Sequence, residues 1–223
     1  ASPPARCAGA ACWFEGPAPP HETGVRVHDA SIGLTGFIAV HSTKLGPAAG
    51  GLRMRPYESE DAALTDALRL SEGMTYKNAA AGLPLGGGKA VIIGDASAKT
   101  SAQLLTFARA INTLEGDYWT AEDMGMSPSD MALLATETKF VAGLPDGPHA
   151  SGDPSPITAR GIFESIKVTA KHQFGSADLT GRSIAVQGLG HVGTYLCDLL
   201  HKAGAKLTLA DLDAKRVAEL AQN

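Results

Sequence analysis

Residues 183–211 constrain the fold of this 223-residue chain more than any other stretch. They read as a strand (SIAVQ), the run Gly188-Leu189-Gly190-His191-Val192-Gly193, a helix over about 192–203, and a second strand (KLTLA) closed by Asp211. Strand, helix and strand at this spacing make a parallel pair with a crossover helix, the opening of a doubly wound α/β sheet. The pattern GxGxxG is weak by itself, because 26 glycines produce such spacings easily. Its position between a strand and a helix gives it meaning. The first glycine permits a tight turn, the second lets a pyrophosphate approach the backbone, and the third lets helix pack on strand. The helix start offers its positive end to phosphate. Asp211, eighteen residues past Gly193, can accept from a ribose 2′-hydroxyl and would repel a 2′-phosphate. NAD is therefore expected rather than NADP. A packing-only glycine turn is the competing reading.

Two strands are fewer than a dinucleotide-binding domain needs, so we expect only the first part of one, over residues 151–223. The Pro/Gly-rich stretch 143–156 (GLPDGPHASGDPSP) is the clearest boundary. Before it, residues 23–150 read as a separate α/β domain. Strand-like runs at 25–27 and 36–41 lead into a glycine-bearing loop at 45–53 (LGPAAGGLR). A helix is predicted over 58–76, with Leu64, Ala67, Leu68 and Met74 near one face. A buried-type strand follows at 89–94 (KAVIIG), preceded by three glycines. Then come a helix over about 101–114, a strand at 118–121, and a helix opened by Ser127-Pro128. Ser155-Pro156 should cap a long helix to about residue 174. Residues 1–22, rich in Ala and Pro, read as an extended or poorly ordered lead.

Composition excludes several functions. Nineteen Lys and Arg against 23 Asp and Glu leave a net charge of −4, with no general electrostatic case for nucleic acid or an anionic membrane. Cys7, Cys12 and Cys197 are too few for a disulfide framework, and no Cys/His set has zinc spacing, so no metal is expected. No secretory signal or apolar run of membrane-spanning length is visible. The expectation is a cytoplasmic protein.

Two further constellations can carry chemistry. Lys77 (MTYKNA) and Lys89 (GLPLGGGKA) could share a cleft, in which two ammonium groups and burial would depress each other's proton affinity and make a base. Glycines packed before Lys89 would let backbone and substrate come close to the amine. A phosphate loop is rejected, because Leu83 stands where its first glycine belongs and Ala90 where Ser or Thr should hold magnesium. Spacing alone does not separate the base from two solvated surface lysines. Asp123 (WTAEDMG) follows a predicted strand and could relay a proton, or equally could only pair with a lysine or cap a turn. His41 and His191 read as loop or packing residues, the methionines 74, 124, 126 and 131 as core, and Cys197 as a small buried hydrophobe.

Taken together, LGPAAGGLRM, DALRLSEGMTYKNAAAGLPLGGGKAVIIGD, WTAEDMG, SGDPSPITARG and VQGLGHVG resemble the Glu/Leu/Phe/Val amino-acid dehydrogenase superfamily, and within it the leucine enzymes. The motifs stand in the family's order over about residues 24–223. The resemblance implies NAD-dependent oxidative deamination of an L-amino acid to a 2-oxo acid and ammonia, in a homo-oligomer. Lys89 would be the base that activates water, and Asp123 would serve proton transfer from the amino group. Lys77 would hold the substrate carboxylate, with the backbone at Gly51 and with Met74 nearby. Thr158 would lie near the nicotinamide. Ala121 resembles the leucine enzymes and Ala49 some phenylalanine enzymes, so a branched aliphatic substrate is favoured and phenylalanine is the alternative. A non-catalytic oligomerisation or regulatory module is the reading from another class. Family members run more than a hundred residues further.

Overall fold

The computed structural model describes residues 6–8, 10–14, 20–147 and 150–221. The chain forms two compact units, Ala1–Asp153 and Pro154–Asn223.

The first unit is built on a mixed sheet. Its strands in chain order are β1 (Arg6–Ala8), β2 (Ala11–Phe14), β3 (Thr23–Asp29), β4 (Leu34–Ser42), β5 (Ala48–Ala49), β6 (Leu52–Arg55), β7 (Gly86–Ile93) and β8 (Tyr118–Trp119). Helices α1 (Glu60–Ala80), α2 (Ser101–Asn112) and α3 (Pro128–Leu134) complete it. The spatial order is β1-β2-β3-β4-β7-β5-β8, with β6 also paired to β7. Pairing is antiparallel from β1 to β7 and parallel among β5, β6, β7 and β8.

Alternation along the central strands sorts side chains onto two faces. Ile38, Val40, Ala90 and Ile92 join Leu104, Phe107 and Ile111 of α2 and Met131 and Leu134 of α3 in the main core. Phe37, Ala39 and Val91 face Ala63 and Ala67 of α1 on the other side. Lys89 shares the parity of Val91 and so belongs to the α1 side. Helix α1 begins where its sequence says it should: the Ser59 hydroxyl accepts from Ala62 N at 3.1 Å, with Glu60 and Asp61 in the first turn. Ser127 and Asp130 form a reciprocal capping box on α3, with Pro128 in its first turn.

The structure corrects several expectations. The loop 45–53 contains the short strand β5 and the first two residues of β6. The three glycines lie inside β7, not before it. The residues of α1 that are fully buried are Ala63, Ala67, Ser71 and Asn78, whereas Leu64 and Leu68 pack at the margin. Small residues meet glycines there: a Cβ on Gly87 would overlap Thr75 and Ser71 O, so helix and strand approach closely. Within the expected loose lead, residues 6–8 and 11–14 form an antiparallel pair that extends the sheet beyond β3; residues 1–5, 9 and 15–19 lie outside the described ones.

The second unit comprises α4 (Ser155–Phe174), β9 (Ser183–Gln187), α5 (His191–Lys202), β10 (Lys206–Ala210) and α6 (Ala214–Leu220). β9 and β10 are parallel and in continuous register from Ser183↔Lys206 to Gln187↔Ala210. Ala159, Ala170, Leu179, Leu196, Cys197 and Leu200 form its core. Ser155 is not the cap of α4. The cap position is Pro154, which offers no side-chain acceptor. Among the described residues, no helix is long and apolar enough to cross a membrane.

Candidate active site

Lys89 sits on β7 with its side chain only 7% exposed, and Asp123, in the segment between β8 and α3, is 25% exposed. Lys89 Nζ donates to Asp123 Oδ2 at 2.5 Å. The same carboxylate oxygen accepts from Arg53 Nε at 2.9 Å, and Arg53 Nη1 reaches Asp66 Oδ2 on α1 at 3.0 Å. Tyr57 Oη donates to that Asp66 oxygen at 2.8 Å. Two carboxylates and two cations thus alternate across β6, β7 and α1.

Burial governs the protonation of the pair. It pushes the Lys89 ammonium below its ordinary value of 10.5; Asp123 opposes the shift, and the Arg53 charge adds to it. Burial would raise the Asp123 carboxyl, but Lys89, the Met124 N–H and Arg53 outweigh it and hold the group below 3.8. Burial, then the Asp66 contact, lift the Tyr57 phenol to about 12. The cation that acts on Lys89 here is Arg53, which the sequence did not single out. Lys77 lies exposed near the end of α1, and among the described residues it has no ion-pair partner.

Packing explains the glycines around the pair. A Cβ on Gly50 would overlap Gly88 O and crowd Met74, and one on Gly51 would overlap Glu122 O and Asp123 Cβ. A Cβ on Gly88 would enter the Tyr118 ring. These glycines bring protein against protein, the close approach of backbone expected beside Lys89. Gly50, Gly51, Met74, Lys89 and Asp123 are brought together by this close packing. Ala49 pairs with Gly87 and Trp119, and Ala121 O accepts from Leu52 N at 2.8 Å. Both flank the glycines through the backbone. Tyr118 is fully buried, and its hydroxyl donates to Gly50 O at 2.7 Å. The remaining sequence expectations for buried groups fare unevenly. Met126 and Met131 are core, Met124 is exposed, and His41 is buried with Nδ1 2.8 Å from Thr75 Oγ1.

In the second unit, Gly188 takes a left-handed conformation (φ 91°) and Gly190 caps α5. A Cβ on Gly193 would overlap Gly188 O, so this glycine serves packing between helix and turn. A Cβ on Gly190 would meet nothing. No side chain caps α5, which leaves the first N–H groups of a twelve-residue helix to a ligand or water. Leu189 lies in the turn, and His191 and Val192 open α5. Asp211 accepts from Leu189 N at 2.6 Å and from Asp213 N at 2.9 Å. Those backbone donors keep its carboxyl below the ordinary value. Thr158 lies in the first turns of α4 and donates to Pro154 O at 3.0 Å. It also lines an apolar groove of about 690 Å³ with Ile162, Ile166, Phe174 and Ile184.

Comparison with known proteins places these features. Residues 21–140 match the family model described as Glu/Leu/Phe/Val dehydrogenase, dimerisation domain, and residues 151–215 match Glutamate/Leucine/Phenylalanine/Valine dehydrogenase. The chain belongs to this dehydrogenase family. It is 50% identical over 198 residues to a leucine dehydrogenase of Bacillus cereus, covering 88% of this chain and 54% of that protein. A phenylalanine dehydrogenase of Lysinibacillus sphaericus is 47% identical over 193 residues, covering 86% and 51%. Among solved structures, L-tryptophan dehydrogenase from Nostoc punctiforme superposes with a TM-score of 0.63 at 40% identity, covering 91% of this chain and 57% of that one. The chain thus spans about half the length of the relatives it matches. Its α/β dimerisation unit is followed by part of the family's second domain.

Sequence reasoning missed Arg53, Asp66, Tyr57 and Tyr118. Only Arg53 left a trace, as a charge between Leu52 and Met54, which β6 buries on the other face.

Proposed function

We propose that this dehydrogenase-family chain carries the substrate side of an NAD-dependent oxidative deamination of an L-amino acid. The pair of buried Lys89 with Asp123 is the observation that carries the reading, because burial lowers the proton affinity of the amine and so favours its neutral, basic form. In the deprotonated state Lys89 takes a proton from water as that water adds to the carbon bearing nitrogen. Asp123 moves a proton from the substrate ammonium, which must be neutral before the carbon can give up hydride. Lys77 and the Gly51 backbone hold the α-carboxylate, and Met74 lies against the side chain. Over the whole reaction, amino acid, water and oxidised dinucleotide give 2-oxo acid, ammonium, reduced dinucleotide and one proton.

The α5 turn fits a dinucleotide: Gly190 has open space where a side chain would stand, and the helix start has no side-chain cap. Residues 188–193 would hold the pyrophosphate, Asp211 the adenosine ribose, and Thr158 would lie towards the nicotinamide. Bound there, NAD supplies the hydride acceptor. The family uses NAD or NADP; the Asp211 carboxylate supports NAD. On this reading residues 23–150 are the substrate and oligomerisation domain, residues 151–223 the first part of the cofactor domain, and the working form is a cytoplasmic homo-oligomer. A branched aliphatic substrate is favoured over phenylalanine.

The test is NAD reduction with Leu, Val, Ile, Phe and Glu, by the chain alone and continued to the length of its relatives. Lys89→Ala should lower kcat by about 10²-fold or more without loss of fold. Near-normal kcat in that variant would remove Lys89 from the mechanism. Lys77→Ala should raise KM, since a charge-assisted contact is lost.

A further inference from the structure

Arg53 is tied to both carboxylates of the partly buried network. Its guanidinium presents Nε to Asp123 Oδ2 at 2.9 Å and Nη1 to Asp66 Oδ2 at 3.0 Å. A planar fork with fixed donor directions can bridge two carboxylates in this way, whereas an ammonium on a flexible stem cannot fix both. Both ends of the bridge are anchored. Asp66 belongs to α1 and also accepts from Tyr57 Oη at 2.8 Å, and Arg53 itself lies in β6, paired to β7 in register with Val91. The Asp123 side stands on a segment held by Leu52 N to Ala121 O and by Met54 N to Met124 O.

We propose that Arg53 is a positioning residue for Lys89: it aims the Asp123 carboxylate that Lys89 bonds, and it sets a second fixed positive charge beside the amine. The consequence is a shared acceptor. Asp123 Oδ2 receives both Lys89 Nζ and Arg53 Nε, so the carboxylate is not left to Lys89 alone and its hold on the ammonium form is weakened. The charged groups acting on Lys89 are Asp123, Arg53 from β6 and Asp66 from α1. Of these, Arg53 is the one that favours the neutral amine. The inference rests on the dehydrogenase reading for what Lys89 does, but not for how Lys89 is held.

The experiment therefore reads the amine and not turnover. Lys89 of the 223-residue chain is labelled with trace acetic anhydride across a pH series, and its modification is followed by mass spectrometry against the exposed Lys77 as internal standard. In Arg53→Met the midpoint of Lys89 reactivity should move to higher pH by about one unit, because the opposing charge is gone and Asp123 serves Lys89 alone. In Arg53→Lys, whose ammonium satisfies one carboxylate at a time, it should move the same way by less. Thermal melts show which variants are folded; if Arg53→Met has no cooperative melt, Arg53→Lys decides. An unmoved Lys89 midpoint in the folded variant overturns the proposal and leaves Arg53 as a strap between β6 and α1. Because no substrate or cofactor is involved, a moved midpoint stands even if the chain proves inactive, and an active enzyme with an unmoved midpoint sinks only the role of Arg53.

Discussion

The Lys89 site and the glycine turn of α5 are both glycine-lined and both carry one decisive aspartate, yet they are built on opposite principles. Around Lys89 the glycines are consumed by packing, and the chemistry resides in side chains, a buried lysine and partly buried partners. At the α5 turn the backbone is the functional group. Gly190 faces open space, and half-buried Asp211 has its oxygens on Leu189 and Asp213 N–H groups. A buried charge must be paired to exist, whereas an exposed backbone cradle costs little until a ligand arrives. The first site should therefore be fragile to mutation in stability and the second chiefly in binding.

Removal of the Asp123 charge should be the most damaging change. Asp123→Asn leaves the Lys89 and Arg53 cations in a buried place with one carboxylate fewer, at a cost of about 3 kcal/mol in urea denaturation. Lys89→Met, which removes the buried charge and keeps the volume, should stay within about 1 kcal/mol of wild type. Equal losses in the two variants would show that the pair is not desolvated.

Gly50→Ala comes next, at about 2 kcal/mol, because a Cβ there would overlap the Gly88 carbonyl. Gly190→Ala should stay within about 0.5 kcal/mol while weakening NAD in calorimetric titration. A Gly190→Ala variant that keeps its NAD affinity would erase the contrast between the two turns.

The pH dependence separates the regions further. Asp123 has a folded value below 3.8, so the stability it contributes is complete above that point and is lost as pH falls through the lowered value. Denaturation midpoints of wild type and Asp123→Asn should thus converge on acidification. Lys89 acts at the other end. Its folded value lies below 10.5, so the unfolded chain holds the extra proton, and stability rises with pH between the two values. That rise should vanish in Lys89→Met. The smallest effect is expected from Asp211→Ser, which should narrow the preference for NAD over NADP with little change in the melting curve. Unchanged selectivity would leave Asp211 as a tie between two loops.

The same contrast decides what could be read from the sequence. The β9–α5–β10 run is legible because strand, turn, helix and strand follow one another directly, so that Asp211 at the end of β10 meets Leu189 at the end of β9 across a single crossover helix. Lys89 and Asp123 were legible as chemistry only through whole motifs, since their juxtaposition spans 34 residues. Arg53 was not, because its partner Asp123 lies 70 residues away and a strand of four residues gives no periodicity to read. Lys77 shows the same limit: spacing could not tell that α1 leaves one lysine exposed in its last turn while β7 buries the other. The strands in residues 6–14 escaped notice because their pairing comes from β3 and not from their own composition.

The hydroxyl of Tyr118 has an effect that reaches past its own hydrogen bond. Two adjacent glycines, 50 and 51, give the peptide plane between them unusual freedom to rotate, and no side chain on either restrains it. Tyr118 Oη grips that plane by its oxygen, from a ring that is itself buried. In a planar trans peptide the N–H points opposite to the carbonyl. By holding one end of the plane, a side chain in the core sets the compass bearing of the Gly51 N–H at the other.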